Sequence, residues 1–525
     1  MHPRRTVLRP AFHGLLLMLG WLAAACLAAA PAQAAAPKSA PSGVYYEIFV
    51  RSWYDTNGDG IGDLNGVTAK LDYLQSLGVS GIWLMPINPS PSYHGYDITD
   101  YYGINPQYGT MADFERLVRA AHARGIKIIL DLVINHTSDR HPWFKAARDP
   151  ASPYHAWYSW SRQGTDLHAV SATGSPAWHA LGRQHYEGTF TAEMPDLNYD
   201  TPAVRAQMIE LGRYWLGKGA DGFRLDAAQH IYYDFQSQKN DPAVLAKNLA
   251  WWTQFSAGIA TANPHAYVVG EVTRDDPREL APYFGPLSAV FDFPLAKQLI
   301  ASANSGRDDG LGRLLERTES AYRQATGRSG VDAPFLSNHD QERVMSQLGG
   351  NLRHMRSAAA MLLTLPGHPF VYYGEELGMR GEKPDPDLRE PMRWHRDPHG
   401  PGETRWKNFS AGDGPDVTVA AEQAQPASLL HEYITLIGWR RQIGALRDGA
   451  LRNQPFANPH IVAWQLQDAH GRVLVVHNLA DTPQNLTLDD PSLQSFRRID
   501  RSTDQGATLV QGRLRLPPGG SVILD

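Results

Sequence analysis

The chain has 525 residues, of which 42% are hydrophobic and 20% are charged, and its formal net charge is -5. This composition is that of a globular protein with about two or three domains, and it excludes the strongly basic character of a nucleic-acid-binding protein. The single cysteine, Cys26, excludes a disulfide within the chain.

The first segment, 1–36, predicts a signal peptide and linker rather than part of the fold. Basic residues, an apolar stretch at about 15–30 and a small-x-small sequence at 32–34 follow one another, so we expect cleavage near 34–36. The start of the chain also resembles a twin-arginine signal. A lipoprotein site at Cys26 is the less favoured alternative, because the apolar run continues past it. We therefore predict a secreted or periplasmic protein with no transmembrane segment in its mature chain.

From residue 44 onward, short apolar runs alternate with amphipathic stretches such as 111–124 and 202–218. This alternation predicts parallel strands joined by right-handed helical crossovers. Eight such units are typical of one α/β fold, the closed (β/α)8 TIM barrel. The predicted strands are 45–50, 81–86, 127–134, 222–227, 267–272, 289–294, 334–340 and 369–376.

Two features add parts to this barrel. Roughly 85 residues separate the third predicted strand from the fourth, and a structureless loop of that length is improbable in a compact domain. We therefore predict a small inserted domain, domain B, at 138–200, between barrel parts at 37–137 and 201–448. After a helical stretch, short alternating apolar runs broken by Gly, Asp and Pro predict a C-terminal antiparallel β-sandwich at 449–525.

Four predicted strands deliver polar residues where the apolar run stops. Parallel strands of a barrel end at the same rim, so we expect these side chains to meet there. Three of them, Asp226, Glu271 and Asp340, are acids on three different strands. A structural ion pair is the ordinary explanation for one such acid, but structural pairs have no reason to gather on one rim. The four sequences are DLVINH (131–136), GFRLD (222–226), VVGE (268–271) and FLSNHD (335–340).

The acids at the ends of the fourth and fifth strands suit the cleavage of a glycosidic bond with retention. That reaction needs two carboxyl groups about 5–5.5 Å apart, and neighbouring strands lie roughly 4.8 Å apart. Arg224 points to the same side of its strand as Asp226 and would keep that carboxylate ionised, as a nucleophile requires. Glu271 follows two valines, which is compatible with the raised pKa that a proton donor needs.

These segments resemble glycoside hydrolase family 13, the α-amylase family, from about residue 44 to 380. The resemblance implies that Asp226 is the nucleophile, that Glu271 is the general acid/base, and that Asp340 stabilises the oxocarbenium-like transition state. It also implies a set of sugar-contacting side chains. These are Tyr96, Asp97, His136, Arg224, His230 and His339.

The segment at 55–63, DTNGDGIGD, alternates oxygen-bearing side chains with glycine, a pattern that can wrap a Ca²⁺ ion. It is not an EF-hand, because Gly66 stands where the twelfth-position Glu would be, and a turn without an ion is the alternative. Similar loops in the oligo-1,6-glucosidase branch of the family bind calcium. By that resemblance the ligands are Asp55, Asn57, Asp59, the Ile61 carbonyl and Asp63. A second calcium site, left open here, would use Asn135, Asp196 and the His230 carbonyl.

The sequence MPDLN at 194–198 resembles a group intermediate between oligo-1,6-glucosidases and neopullulanases. Ala227, after the proposed nucleophile, resembles amylases and neopullulanases, whereas Gln229 stands where the family usually has a lysine. We predict a calcium-bearing α-amylase, monomeric, that hydrolyses internal α-1,4 bonds of starch or maltodextrins through a covalent glycosyl-enzyme intermediate. The enzyme alternatives are an α-glucosidase, a neopullulanase or a transglycosylase, and the non-enzyme alternative is an inactive saccharide-binding protein. Chain-length preference and α-1,6 tolerance stay open.

Overall fold

A computed structural model describes residues 43–327, 332–409 and 413–525. The predicted signal peptide and linker at 1–36, with Cys26, lie outside these described residues. Within the described part of the chain, no helix combines the length and the apolar character needed to cross a membrane.

The chain forms short strands in three regions, the barrel, the insertion and the C-terminal part. In chain order the strands are β1 (Tyr45–Ile48), β2 (Gly81–Leu84), β3 (Lys127–Leu132), β4 (Trp178–Leu181), β5 (Gln184–Glu187), β6 (Gly222–Leu225), β7 (Tyr267–Gly270), β8 (Ala289–Val290), β9 (Phe370–Tyr372), β10 (Ala450–Asn453), β11 (Ile461–Gln467), β12 (Arg472–Asn478), β13 (Gln484–Thr487), β14 (Ile499–Ser502), β15 (Thr508–Val510), β16 (Arg513–Leu516) and β17 (Ser521–Leu524).

Helices follow most of the barrel strands. In chain order they are α1 (Val50–Trp53), α2 (Leu64–Ala69), α3 (Leu71–Leu77), α4 (Met111–His122), α5 (Pro142–Ala147), α6 (Pro202–Gly217), α7 (Pro242–Ala260), α8 (Pro277–Leu280), α9 (Phe293–Ser305), α10 (Leu311–Thr326), α11 (Val344–Gln347), α12 (Leu352–Thr364), α13 (Asp385–Leu388), α14 (Val419–Gln423), α15 (Leu429–Gln442) and α16 (Gly444–Asp448).

A parallel sheet closes into the predicted (β/α)8 barrel. Seven strands lie in the order β8-β7-β6-β3-β2-β1-β9. Two parallel bridges, Phe291 with Ala333 and Phe335 with Phe370, place the segment 333–335 between β8 and β9. That segment takes the eighth place in the ring, and the fold prediction is confirmed.

The predicted strand 334–340 is shorter than expected. Pro334 has no amide proton to donate to a neighbouring strand. Four residues further on, the Asn338 side chain accepts a hydrogen bond from the Asp340 amide at 3.0 Å, which turns the chain away from the sheet. The bridges at Ala333 and Phe335 are therefore its pairing with the barrel.

The barrel interior and the space around it hold different cores. The larger core lies between the outward side chains of the strands and the surrounding helices. The interior core is mainly aromatic and fills the barrel below its C-terminal rim. Its members are Tyr45, Trp83, Ile129, Tyr267, Val269, Ala289, Phe291, Phe293, Ala296, Ala333, Phe335 and Phe370.

The insertion and the C-terminal part have the predicted forms. Between β3 and β6, the chain forms α5 and the antiparallel pair β4-β5. At the C-terminus, a five-stranded sheet, β10-β11-β12-β17-β14, and a three-stranded sheet, β13-β16-β15, share one apolar core. Trp464 of β11 belongs to the main core instead, and its indole N–H donates to the Thr364 carbonyl of α12 at 3.3 Å. The sandwich is thus packed against the barrel helices.

Candidate active site

The barrel strands carry apolar and then polar side chains into the interior. Successive side chains of a strand point to opposite faces, so every second residue points inward. In β1 the inward positions are Tyr45 and Glu47, and in β3 they are Ile129 and Asp131. Tyr45 and Ile129 belong to the interior core, whereas Glu47 and Asp131 are buried polar residues one step closer to the rim. The alternation therefore builds a polar layer on top of an aromatic one.

Arg224 of β6 lies at the centre of this polar layer. Its guanidinium contacts three carboxylates: Asp131 at 2.9 Å, Asp226 at 2.6 Å and Glu271 at 2.8 Å. The Arg224 side chain is only 1% exposed, and a buried cation without partners would be strongly destabilising. One guanidinium thus neutralises part of the charge of three acids and holds them together.

Asp226 and Glu271 occupy the ends of adjacent strands and share this guanidinium. Asp226 contacts its Nη1 atom and Glu271 contacts its Nη2 atom. The next residue, Ala227, has a positive φ of 48°, and its amide donates to Glu271 Oε2 at 2.9 Å. The left-handed turn after Asp226 therefore fixes the orientation of the Glu271 carboxyl group.

The electrostatics separate the two carboxyl groups. Burial raises the pKa of both Asp226 and Glu271, and Arg224 opposes that rise in each case. The negative charge of Asp340 raises the pKa of both groups. For Glu271 the negative charge of Asp226 raises the pKa further, whereas for Asp226 the hydrogen bond from Arg224 and the charge of His339 lower it. Since like charges this close disfavour double ionisation, the arrangement favours an ionised Asp226 beside a protonated Glu271.

Asp340 enters the site from the segment after 333–335. Its carboxylate accepts from Arg389 Nη2 at 2.7 Å and lies 3.1 Å from His339 Nε2. Although partial burial acts in the other direction, His339 and Arg389 hold the pKa of Asp340 well below the usual carboxyl range. Asp340 is therefore a fixed anion with about half of its side chain open to an incoming molecule.

Tyr96 and His339 form one wall of the site. Their rings stack with centroids 5.5 Å apart, and Tyr96 Oη lies 2.5 Å from His339 Nε2. The Tyr96 hydroxyl also donates to Asp131 Oδ2 at 3.1 Å. The predicted sugar-contacting residues Tyr96, Arg224 and His339 are thus joined to the acids by direct hydrogen bonds.

The other predicted sugar-contacting residues surround this group. His136 Nε2 lies 3.1 Å from the Tyr96 carbonyl, and burial lowers the pKa of His136 to about 4. Asp97 accepts from the hydroxyl of Ser90 at 2.5 Å, so here its carboxylate orders its own loop. His230 lies further out, with Nδ1 3.0 Å from the Tyr233 carbonyl, and burial lowers its pKa.

Two residues that the sequence analysis did not select belong to the same site. Asp131 bonds Arg224 and Tyr96, and burial raises its pKa to about 7. The inward position of Asp131 in β3 could have identified it from the sequence. Arg389 bonds Asp340 and also donates from Nε to the His339 carbonyl at 2.9 Å. Arg389 lies in an irregular segment, where no periodicity of the sequence indicates a buried or inward-facing side chain.

The predicted calcium loop is a series of tight turns. Asp55 Oδ1 accepts from the Asn57 amide at 3.0 Å and Oδ2 from the Gly60 amide at 2.7 Å. Asp59 Oδ1 accepts from the Ile61 amide at 2.8 Å. Among the described residues, no lysine or arginine forms an ion pair with the loop's acids. The Asp63 carboxylate accepts from the Gly66 amide at 2.7 Å and from the Thr56 amide at 2.9 Å. The chain thus curls around its own oxygens, and in the described residues the loop's acids are not arranged as a group of three that could hold a metal ion.

The three residues of the possible second calcium site also come together. The Asn135 side-chain amide donates to the His230 carbonyl at 2.7 Å. The backbones of His136 and Asp196 form an isolated antiparallel β-bridge. Asp196 Oδ1 is buried without a hydrogen-bond partner in the described structure. Even so, no group of three or more His, Cys, Asp or Glu side chains in the described residues is arranged to hold a metal ion.

The geometry can support nucleophilic substitution at a sugar carbon. It offers an anionic carboxylate, a neighbouring carboxyl group that retains a proton, and a second anion on the opposite wall. The first two are the pair that double displacement requires. An anion placed where positive charge develops stabilises the transition state.

Comparison with known proteins agrees with this chemistry. The family model described as "Alpha amylase, catalytic domain" matches residues 47–449. The model of the "Alpha-amylase SusG C-terminal domain" matches residues 461–523.

Individual relatives match along most of the chain. Alpha-amylase 3 of Dictyoglomus thermophilum is 42% identical over 440 residues, which cover 83% of this chain and 84% of the relative. The 4-alpha-glucanotransferase of Thermotoga maritima is 33% identical over 83% of this chain and 95% of its own. The crystal structure of an alpha-amylase from H. orenii superposes with a TM-score of 0.85 at 41% identity, covering 93% of this chain and 99% of that one.

Proposed function

The chain belongs to glycoside hydrolase family 13, the α-amylase family, and from this premise we propose that it hydrolyses internal α-1,4 bonds of starch or maltodextrins with retention. It is a glycosidase. The observation that carries the retaining mechanism is the single guanidinium of Arg224 with Asp226 and Glu271 on its two terminal nitrogens. The choice of internal α-1,4 bonds is supported by the similarity to proteins named alpha-amylase.

In this proposal each acid has one role. Asp226 attacks the anomeric carbon while Glu271 protonates the leaving oxygen, which gives a covalent glycosyl-enzyme. Glu271 then takes a proton from water, and the hydroxide releases the sugar with its original configuration. Asp340 binds sugar hydroxyl groups more strongly as positive charge develops on the ring.

The size of the first products tests where the enzyme cuts. The protein is incubated with amylose, maltotriose, pullulan and an aryl α-glucoside, and product lengths are followed over time. Internal cleavage predicts mid-length maltodextrins before glucose appears. Glucose alone at early times would instead identify the enzyme as an α-glucosidase. Panose released from pullulan would identify it as a neopullulanase.

Transfer to a sugar acceptor is the second candidate. It is favoured by the similarity to a protein named 4-alpha-glucanotransferase over 95% of that protein's length. Water and a sugar hydroxyl compete for the same intermediate, so the ratio of new reducing ends to lengthened oligosaccharides distinguishes the two. Products longer than the maltotriose supplied, without an equal release of reducing ends, would favour transfer.

We also propose that the loop 55–63 binds one structural Ca²⁺ ion. Asp55, Asn57, Asp59 and Asp63 would supply side-chain oxygens, and Ile61 its carbonyl; such hard oxygen ligands suit this ion. Because a ligand that binds the folded state stabilises it, chelation should lower the melting temperature and added Ca²⁺ should restore it. The variant Asp59→Asn should weaken this response. An identical melting curve with and without chelator would exclude a tightly bound ion.

Export and monomeric state are further proposals. The proposal of export rests on the N-terminal sequence pattern. N-terminal sequencing of the protein recovered outside the cytoplasm should begin near residue 35. Sedimentation should give the mass of one chain.

A further inference from the structure

Glu47 is a buried acid that the proposed reaction does not use. It lies in β1, whose four residues are all buried, and it is 1% exposed. Its inward position places it above Tyr45, which belongs to the aromatic core of the barrel. A carboxylate in such surroundings is strongly destabilising unless it is paired. The interaction partner of Glu47 therefore indicates its role.

That partner is His339. Glu47 Oε1 lies 2.6 Å from His339 Nδ1, and both side chains are almost completely inaccessible to solvent. The other ring nitrogen, Nε2, lies 2.5 Å from Tyr96 Oη and 3.1 Å from Asp340 Oδ2. A carboxylate is therefore within reach on each side of the imidazole ring.

The surrounding hydrogen bonds determine which atoms donate. The Tyr96 hydroxyl donates its one proton to Asp131 Oδ2, so Tyr96 Oη acts as an acceptor towards His339. Asp340, whose pKa His339 and Arg389 hold low, accepts as a carboxylate. Burial raises the pKa of Glu47, and the charge and hydrogen bond of His339 oppose that rise. With Glu47 ionised, both ring nitrogens of His339 carry a proton, and the ring is an imidazolium. Burial alone would lower the pKa of His339, but Asp340 and Glu47 raise it to about 9.

We propose that Glu47 is a positioning residue that holds His339 as a doubly protonated cation and, through it, fixes Asp340 for contact with the sugar. This inference rests on the proposed function for its effect on catalysis, but not for its effect on the imidazole. The charged and titratable groups that face the imidazole or act on it are Glu47, Asp340, Tyr96, Asp131, Asp226, Arg224 and Arg389.

Loss of the Glu47 charge would change what His339 presents to the site. A neutral imidazole with its proton on Nδ1 has a lone pair on Nε2. That lone pair faces Tyr96 Oη and Asp340 Oδ2, with which it cannot form the present hydrogen bonds. Asp340 would lose one of its two cationic partners, while Arg389 would remain.

The test is a titration of His339 in the full-length protein, by two-bond ¹H–¹⁵N correlation spectra after ¹⁵N-histidine labelling. The His339 signals are assigned by their loss in His339→Asn. In the wild type we expect the imidazolium form to persist beyond pH 8. In Glu47→Gln, which keeps the shape and an acceptor but removes the charge, the midpoint should fall by at least about one pH unit.

Steady-state kinetics supply a second readout. Because the contact is proposed to act when charge develops on the sugar, Glu47→Gln should lower kcat about tenfold with a much smaller change in KM. Glu47→Asp, which keeps the charge, should restore part of the difference.

Glu376→Gln is the matched control. Glu376 is also fully buried, but it accepts from Tyr46 and Tyr73 hydroxyls at 2.7 and 2.5 Å, away from the site. It should leave the His339 midpoint unchanged. An unchanged midpoint in Glu47→Gln, or a neutral His339 in the wild type at pH 7, overturns the inference. If Glu47→Gln does not fold, the wild-type titration decides. Absence of glucan hydrolysis in the wild type would refute the proposed function but not the titration.

Discussion

At the scale of single residues, Arg224 decides how the site is charged. Its guanidinium contacts Asp131, Asp226 and Glu271, and it stacks over the Trp83 ring at 5.1 Å. A planar fork with several donors can serve three acids at once, which a lysine ammonium could not do with the same geometry. The different roles of the acids therefore come from their other neighbours rather than from Arg224.

The two proposed roles of the acid pair can be separated with substrates of different leaving group. Glu271→Gln should lower the hydrolysis of maltodextrins on the order of 10²- to 10⁴-fold, the usual contribution of general acid catalysis. An aryl maltoside with an acidic phenol needs no proton for departure, so its first cleavage should survive, and azide should replace water in the second step. The measurement is phenol release with and without azide.

Asp226→Asn serves as the comparison for that experiment. Removing the nucleophile should abolish the cleavage of both substrates. Added azide should not restore a product with the original anomeric configuration. Azide rescue in Asp226→Asn with a retained product would assign the roles the other way round.

At the scale of elements, close packing of β6 against β7 sets the distance between the acids. Gly222 begins β6, and a Cβ atom there would overlap the Tyr267 carbonyl oxygen of β7. Because Asp226 follows β6 directly and Glu271 follows β7, the absence of a side chain at Gly222 lets the two carboxyl groups come close together.

The variant Gly222→Ala tests this dependence. It should push β6 away from β7, lower the melting temperature, and reduce kcat more strongly than it raises KM. Gly217→Ala is the control, because a Cβ at this last residue of α6 meets no atom within 4 Å. That helical exchange should stabilise the protein by up to about 1 kcal/mol. Equal activity of both variants would contradict the packing argument.

The elements differ in how well the sequence predicts them. Most barrel strands were predictable, since a buried parallel strand is a continuous apolar run, and the acids after β6 and β7 break such runs. The segment around Phe335 was predicted too long, because local turn chemistry at Asn338 ends the strand. The contacts of Glu47 and Arg389 were not predictable, since both depend on partners about 290 and 50 positions away.

At the scale of the whole molecule, several buried carboxyl groups bind protons in the folded state. Burial raises the pKa of Asp131 and Asp196 to about 7, and that of Glu187 and Glu375 to about 8. In the unfolded chain all four would be ionised above about pH 5. The folded protein therefore holds more protons than the unfolded one near neutral pH.

Stability should fall as the pH rises from about 6.5 to 8.5. More protons in the folded state give the free energy of unfolding a negative slope with pH, up to about 1.4 kcal/mol per pH unit for each proton. His339, whose pKa is raised to about 9, acts in the same direction. The histidines with lowered pKa act oppositely, but mainly below pH 6.5. Calorimetry at saturating and at zero Ca²⁺ measures the slope.

A single variant can isolate one of these protons. Glu375 accepts a hydrogen bond from Tyr433 at 2.7 Å and lies outside the site. Glu375→Gln should make the slope shallower between pH 6.5 and 8.5. A slope identical to that of the wild type would mean that Glu375 is ionised in the folded protein.

The segment 333–335 joins the barrel wall through isolated bridges to Phe291 and Phe370 rather than through a continuous ladder. Asp340 follows this segment, whereas Asp226 and Glu271 follow β6 and β7, which pair with each other over four residues. Local opening of the barrel wall at this segment would therefore displace Asp340 without separating Asp226 from Glu271. In hydrogen–deuterium exchange, the amides of 335–340 should exchange faster than those of β6 and β7, and a bound maltodextrin should slow them most.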